Sequence, residues 1–467
     1  MMGFMSVLTV LFFLVLLFFA GYIIQRILIG ARSLLSALVF SYAFGLSYII
    51  VLCPILDLIW EITLSSVTCA VLPLSFLLFI RKPSSLTSFT LPKKEELILI
   101  GLILLYGVFL RAYTLTDPLS QGQDAWRHLS FILSIHDTSH LPQVVPWAVP
   151  PLPVTIVMYP PGAHCIGALL SHAVGEVSFR FLEFIFILTA TGSALSSYVV
   201  CRELFDPKHA FISSLLIASF MPHMVMSSEI TAQSLAIFLF PLIPYFFYKE
   251  KYAACILLTS STFLIHHFSA FSLLMSLFCI AFGFMLKTRK FTYFLAFFLI
   301  CVSSLLLTSP WWSHVSLLLA NTGVKSTAHV PVTQTLSLDP YTAIVSPLFI
   351  LLSMIGFFSF FKKKEKKYVL MIAWALILFL ATQPAFPIKF HEHRFLAFFI
   401  FPCSVMAASG LLLVRHNIRP TLFIILLLLL CVRLCKRMAG RIDPGSCGIC
   451  VWSALHLCVC PVSEETL

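Results

Sequence analysis

Gly122-Gln123-Asp124-Ala125-Trp126-Arg127-His128 places a carboxylate, an indole, a guanidinium and an imidazole within five residues, beside long apolar runs. If the stretch is helical from about Asp124 to Ile135, Asp124, Arg127 and His128 stand at i, i+3 and i+4, on one face. Charge at membrane depth costs about 2.5–3.5 kcal/mol per residue, so three such groups call for a reason. One reason is chemistry, with Asp124 as a base and His128 beside it. The other is a surface helix with its charges among headgroups. A second carboxylate, Glu229, lies in the turn Ser227-Ser228-Glu229, near His223, Thr231 and Gln233. Two acids from separate loops are the minimum for a divalent-metal site (Mg or Mn) or a base with its partner; alone, Glu229 would cap a helix. Lys389-Phe390-His391-Glu392-His393-Arg394 supplies cations where a helix is expected to start near Glu392, which suits a phosphate or an interfacial anchor. His266-His267 forms a further polar pair, and Tyr159-Pro160-Pro161-Gly162 closes the polar region 116–178.

The elements that must position these groups are apolar spans. The 467 residues are 60% hydrophobic and 10% charged, with mean hydropathy +1.01. An all-α polytopic membrane bundle follows, since runs of about 20 apolar residues recur throughout. Spans are expected near 4–24, 34–53, 62–80, 97–115, 179–200, 209–226, 230–248, 252–268, 270–286, 291–309, 341–361, 368–384, 394–414 and 421–434, about 13–14 in all. Residues 159–175 are read as a short surface helix within a long first outer loop. With 81–96 inside, twenty of the 30 Lys and Arg fall in inner loops, as the positive-inside bias requires. The formal charge of +11 therefore points to inner-leaflet lipids and not to nucleic acid.

Twelve of the 15 histidines fall on or near the outer side, a distribution independent of the Lys and Arg bias. Longer outer loops are one cause; an outward-facing polar cavity is the other. Trp311-Trp312 is expected at the interface belt, with 316–340 as a cover. Three segments result: 1–96, a core 97–414, and a tail 415–467. In the tail, Cys447, Cys450, His456, Cys458 and Cys460 look like metal ligands, but Cys450 and Cys458 stand too close in sequence for a zinc loop. Acylation of these cysteines is another reading.

In this order and on one side, the motifs resemble those of the GT-C superfamily of polytopic glycosyltransferases, and most of all the oligosaccharyltransferase catalytic subunit. That family carries Asp-Pro-Trp-Tyr-His in its first outer loop, where Asp124-Ala125-Trp126-Arg127-His128 stands here, and Tyr-Pro-Pro-Gly near its end, matched by Tyr159–Gly162. The resemblance implies a sugar donor on a polyprenyl phosphate, an acceptor glycan, lipid or protein, and an active site facing outside the cytoplasm. It makes Asp124, Glu229 and His128 the catalytic candidates. Arg127, Trp126, Tyr159, His266, His267, Lys389, His391 and Arg394 are then the substrate-binding candidates. Two features depart from the family. Its Asp-x-Glu is reduced to Glu229, and its soluble domain with Trp-Trp-Asp-Tyr-Gly has no counterpart, which argues against asparagine as acceptor. A base working without metal suits this chain better. A transporter or lipid flippase, and a non-catalytic relative, are the alternative classes.

Overall fold

The computed structural model describes residues 4–30, 33–76, 90–112, 123–142, 159–220, 223–224, 230–322, 346–382 and 392–415, without the side chains of 123–124, 317–322 and 392–393. Glu229, Lys389, His391, the span expected at 421–434 and the cysteine-rich tail lie outside the described residues, as does the side chain of Asp124.

Seventeen helices account for nearly all of the described chain. They are α1 (Phe4–Leu28), α2 (Leu34–Ile59), α3 (Leu64–Val71), α4 (Lys94–Ala112), α5 (Gln123–Thr138), α6 (Gly162–Val174), α7 (Phe179–Leu204), α8 (Pro207–Ser219) and α9 (Ala232–Leu239). After these come α10 (Leu242–Tyr248), α11 (Tyr252–Ile265), α12 (His267–Thr288), α13 (Thr292–Leu307), α14 (Ser309–Thr322), α15 (Pro347–Phe361), α16 (Lys366–Ala381) and α17 (Glu392–Arg415). One isolated bridge, Ser33 to Thr90, is the β pairing among the described residues.

Five helices are long and apolar enough to cross a membrane, α1, α2, α7, α12 and most of α17; the bent pair α13–α14 makes a sixth. Several other expected spans are present as shorter apolar helices, and the causes of shortening are visible in the sequence. Pro241 separates α9 from α10, because a proline inside a helix removes a backbone hydrogen bond. The pair α13–α14 bends by 59° beside Pro310. α4 carries Lys94, Glu95, Glu96 and Arg111, which dilute its apolar run.

Backbones approach most closely where glycines face each other. A Cβ on Gly45 of α2 would overlap the Leu17 carbonyl of α1, and one on Gly21 would overlap that of Ser41. Gly356 of α15 and Gly410 of α17 stand in the same relation to the Met406 and Leu352 carbonyls. Between apolar helices in lipid, such small-residue contacts supply the packing that a hydrophobic driving force supplies in water.

α6 departs from the expected surface helix. Twelve of its thirteen residues are buried, against α1, α2, α5, α9 and α11. Its sequence is apolar and rich in Gly and Ala all round, the pattern of a helix surrounded by others. Trp311 departs likewise: it is fully buried and stacks on His314, while Trp312 is 37% exposed.

The two ends of the bundle differ in charge. Lys366 meets Glu250 at 3.0 Å and the Tyr293 hydroxyl at 2.7 Å, joining the turns α10–α11, α12–α13 and α15–α16. Exposed Lys249, Lys251, Lys290, Lys362, Lys363 and Lys364 surround that junction. The other end of α12, about 33 Å away at 1.5 Å per residue, begins at His267.

Candidate functional site

α5 buries Ala125, His128, Phe131, Ile132 and Ile135, a stripe at helical spacing, and turns Trp126 and Arg127 outward. Arg127 therefore does not share the buried face of His128. The stripe rests on α6 with the two helices running in the same direction. His128 meets His164, Ile132 meets Gly167, and His136 stacks on His172 with centroids 4.6 Å apart. A Cβ on Gly167 would lie 2.5 Å from Ile132 Cδ1, so a larger residue there would force the Ile132 side chain to move.

His128 Nδ1 stands 2.8 Å from His164 Nε2. Tyr159, just ahead of Pro160-Pro161, presents its ring to four imidazoles: His128 at 5.2 Å, His164 at 5.6 Å, His267 at 5.6 Å and His266 at 6.1 Å between centroids. His266 ends α11 and caps α12, its ring nitrogen accepting from the Ser269 amide at 3.2 Å. Phe268 packs on Phe395 at 4.6 Å, which brings the first turn of α17 to the same place. The charge of Arg394 acts there on both His266 and His267. Thus His128, Tyr159, His266, His267 and Arg394, distant in sequence, converge at one end of the bundle.

Arg394 is distinctive in its lack of partners. Its Nε is buried and unbonded, and among the described residues the guanidinium makes no hydrogen bond or ion pair. A cation held among imidazoles with no carboxylate among the described residues is suited to an anionic ligand. His164 is held neutral: burial first, and then neighbouring His128, keep its pKa well below the ordinary imidazole range.

Two groups at this end have no sequence precedent. His164 is one, a histidine two residues after Gly162, inside a run of small apolar residues. Arg111 is the other, 1% exposed in α4, giving hydrogen bonds to the Gly107 carbonyl at 3.0 Å and to His223 Nδ1 at 2.9 Å. His223 Nε2 reaches Ser193 Oγ at 3.0 Å, so α4, α7 and the end of α8 are tied together. Because guanidinium only donates, His223 accepts at Nδ1 and donates from Nε2. An arginine within an apolar span is itself the signal that marks this network.

Among the described residues no group of three His, Cys, Asp or Glu is placed to hold a metal ion. Asp124 and Glu229, the carboxylates expected to take a divalent cation, are not described at side-chain level, and no step below runs through a metal.

No protein-family model and no curated protein sequence matches the chain. Solved structures do. ArnT from Cupriavidus metallidurans, bound to undecaprenyl phosphate, superposes with a TM-score of 0.51 at 13% identity, over 77% of this chain and 64% of that one. The archaeal oligosaccharyltransferase AglB from Archaeoglobus fulgidus, in complex with an inhibitory peptide and a dolichol-phosphate, superposes with a TM-score of 0.50 at 14% identity. That match covers 74% of this chain and 55% of AglB. The chain thus spans between half and two thirds of either protein. Both are GT-C membrane glycosyltransferases. The helical bundle described above has the fold of the GT-C glycosyltransferases.

Proposed function

We propose that this chain is a membrane glycosyltransferase, moving a sugar from a polyprenyl-phosphate-linked donor to an acceptor glycan, lipid or protein outside the cytoplasm. One observation carries the reading: the unpaired Arg394 beside His266 and His267, at the end of the bundle opposite the lysine cluster. ArnT and AglB were solved with undecaprenyl phosphate and dolichol-phosphate, ligands whose charged head would need such a cation. The prenyl chain would stay in hydrocarbon while the phosphate meets Arg394 at the helix end. With the lysine-rich end in the cytoplasm, this site faces outward.

The chemistry asks for few parts. Asp124 takes the proton from an acceptor hydroxyl as its oxygen bonds to the anomeric carbon. The bond from that carbon to the phosphate oxygen breaks, and the phosphate leaves with the electron pair. Arg394 and His267, with Lys389 and His391 from the same segment, stabilise the departing charge. Glu229 orients Asp124, and His128 holds the acceptor or its proton. Base assistance is worth about 10²–10⁴-fold, and charge arranged in advance often contributes more. The broken span α13–α14 is also a transporter feature, but the fold likeness favours transfer. The test is sugar transfer from a polyprenyl-phosphate donor by the purified chain in liposomes. Transport of intact donor without transfer would favour the flippase reading.

A further inference from the structure

Resting on that reading, we infer that His164 is a positioning residue: it holds the His128 imidazole through Nδ1, so that His128 meets substrate with its Nε2 edge.

His128 Nδ1 and His164 Nε2 lie 2.8 Å apart. Two nitrogens so close carry one proton between them, and either ring may be the donor. In both arrangements His128 Nδ1 is committed to His164. His164 cannot itself reach substrate, because it is 1% exposed and lies in a helix packed on seven others. Its Nδ1 is buried and closes no hydrogen bond, although the Pro160 carbonyl acts on the ring. A phenyl ring would fill the site without bringing a second ring nitrogen into it. The imidazole is therefore placed for its one side-chain hydrogen bond, to His128. Phe131 against its ring at 4.7 Å and Tyr159 at 5.6 Å hold it in that orientation.

The groups facing the pair come from every packed segment. Tyr159 lies against both rings, His266 acts electrostatically on His128, and His267 and Arg394 lie beyond them. Of the charged side chains described here, Arg394 is the permanent one. Burial of His164 and its contact with His128 disfavour a second positive charge on the pair, so it is suited to directing a single proton and not to storing two.

Two amide substitutions separate positioning from packing. In His164→Gln the amide reaches the place of Nε2 and retains a bond to His128. In His164→Asn the amide falls one methylene short. Sugar transfer from a polyprenyl-phosphate donor should be kept within about threefold by Gln, and lowered about 10–100-fold in kcat by Asn with donor KM little changed, the order expected for a misaligned group. A second readout needs no activity: carbethoxylation of His128 by diethyl pyrocarbonate, followed across pH by mass spectrometry. Its midpoint should match wild type in the Gln variant and move down in the Asn variant, which loses the partner that stabilises a protonated His128. If Asn prevents folding, His164→Phe, which keeps the ring volume, takes its place. Equal midpoints and equal kcat in all variants overturn the inference while leaving the transferase reading intact. Absence of transfer by wild type, with the midpoints behaving as stated, overturns the transferase reading alone.

Discussion

Replacing Arg394 by Gln removes a cation that no described carboxylate neutralises. A hydrogen bond to a charged group contributes about 1.5–3 kcal/mol. At 1.36 kcal/mol per decade, the donor's affinity should fall roughly 10- to 160-fold. Stability should respond in the opposite sense from that of a structural arginine. Breaking a buried ion pair from one side costs about 3–5 kcal/mol because a charge is left behind. Here none is left behind among the described residues, and the buried unbonded Nε is removed as well. The melting temperature of Arg394→Gln should therefore equal or exceed that of wild type. Arg394→Lys should keep the fold and part of the affinity, since a point charge replaces a planar fork. The assay is titration of the purified protein with a fluorescent polyprenyl phosphate, paired with thermal melts in the same detergent. Unchanged affinity would refute the phosphate assignment. A large loss of stability would refute the claim that Arg394 lacks a structural partner.

Gly356→Ala should destabilise by about 1–3 kcal/mol or more, because the new Cβ overlaps the Met406 carbonyl. Gly101→Ala, where nothing lies within 4 Å, is the matched control and should be neutral or slightly stabilising in the same unfolding assay. Bonds from Lys366 and Tyr293 lower the pKa of Glu250 in the folded state, so its contribution is complete above the ordinary glutamate value of 4.5 and fades as pH falls toward the lowered one. Melting temperature should therefore drop below about pH 4.5, and Lys366→Met should blunt that drop. An equal drop in the variant would remove the clamp from the account.

Much of the bundle was legible because hydrocarbon selects long apolar helices and a lysine-rich end. Helix α5 was legible from the spacing of Asp124, Arg127 and His128, but their common face was not realised for Arg127. Spacing places i and i+3 side by side without saying which flank is covered, and α6 covers only the flank of His128. The burial of α6 was hidden by its length, too short for a span, although its all-round small and apolar surface was the better guide. The partners of His164 and Arg111 were out of reach for a different cause, although an arginine inside an apolar span marks Arg111 itself. Each gains meaning from one nitrogen in a distant segment, His128 and His223, and a single sequence does not record such pairings. The convergence of His128, Tyr159, His266, His267 and Arg394 was foreseen as membership of one side, not as contacts around a tyrosine.

In the reaction we propose, a carboxylate in α5 takes the acceptor's proton while cations at the start of α17 receive the phosphate. It is tested most directly by transfer of labelled sugar from a polyprenyl-phosphate donor in liposomes, comparing wild type with Asp124→Asn at equal expression. Wild-type transfer, reduced about 10²–10⁴-fold in the variant, is the expected result. Equal transfer by Asp124→Asn would contradict the assignment of the base, and no transfer by wild type would contradict the enzyme.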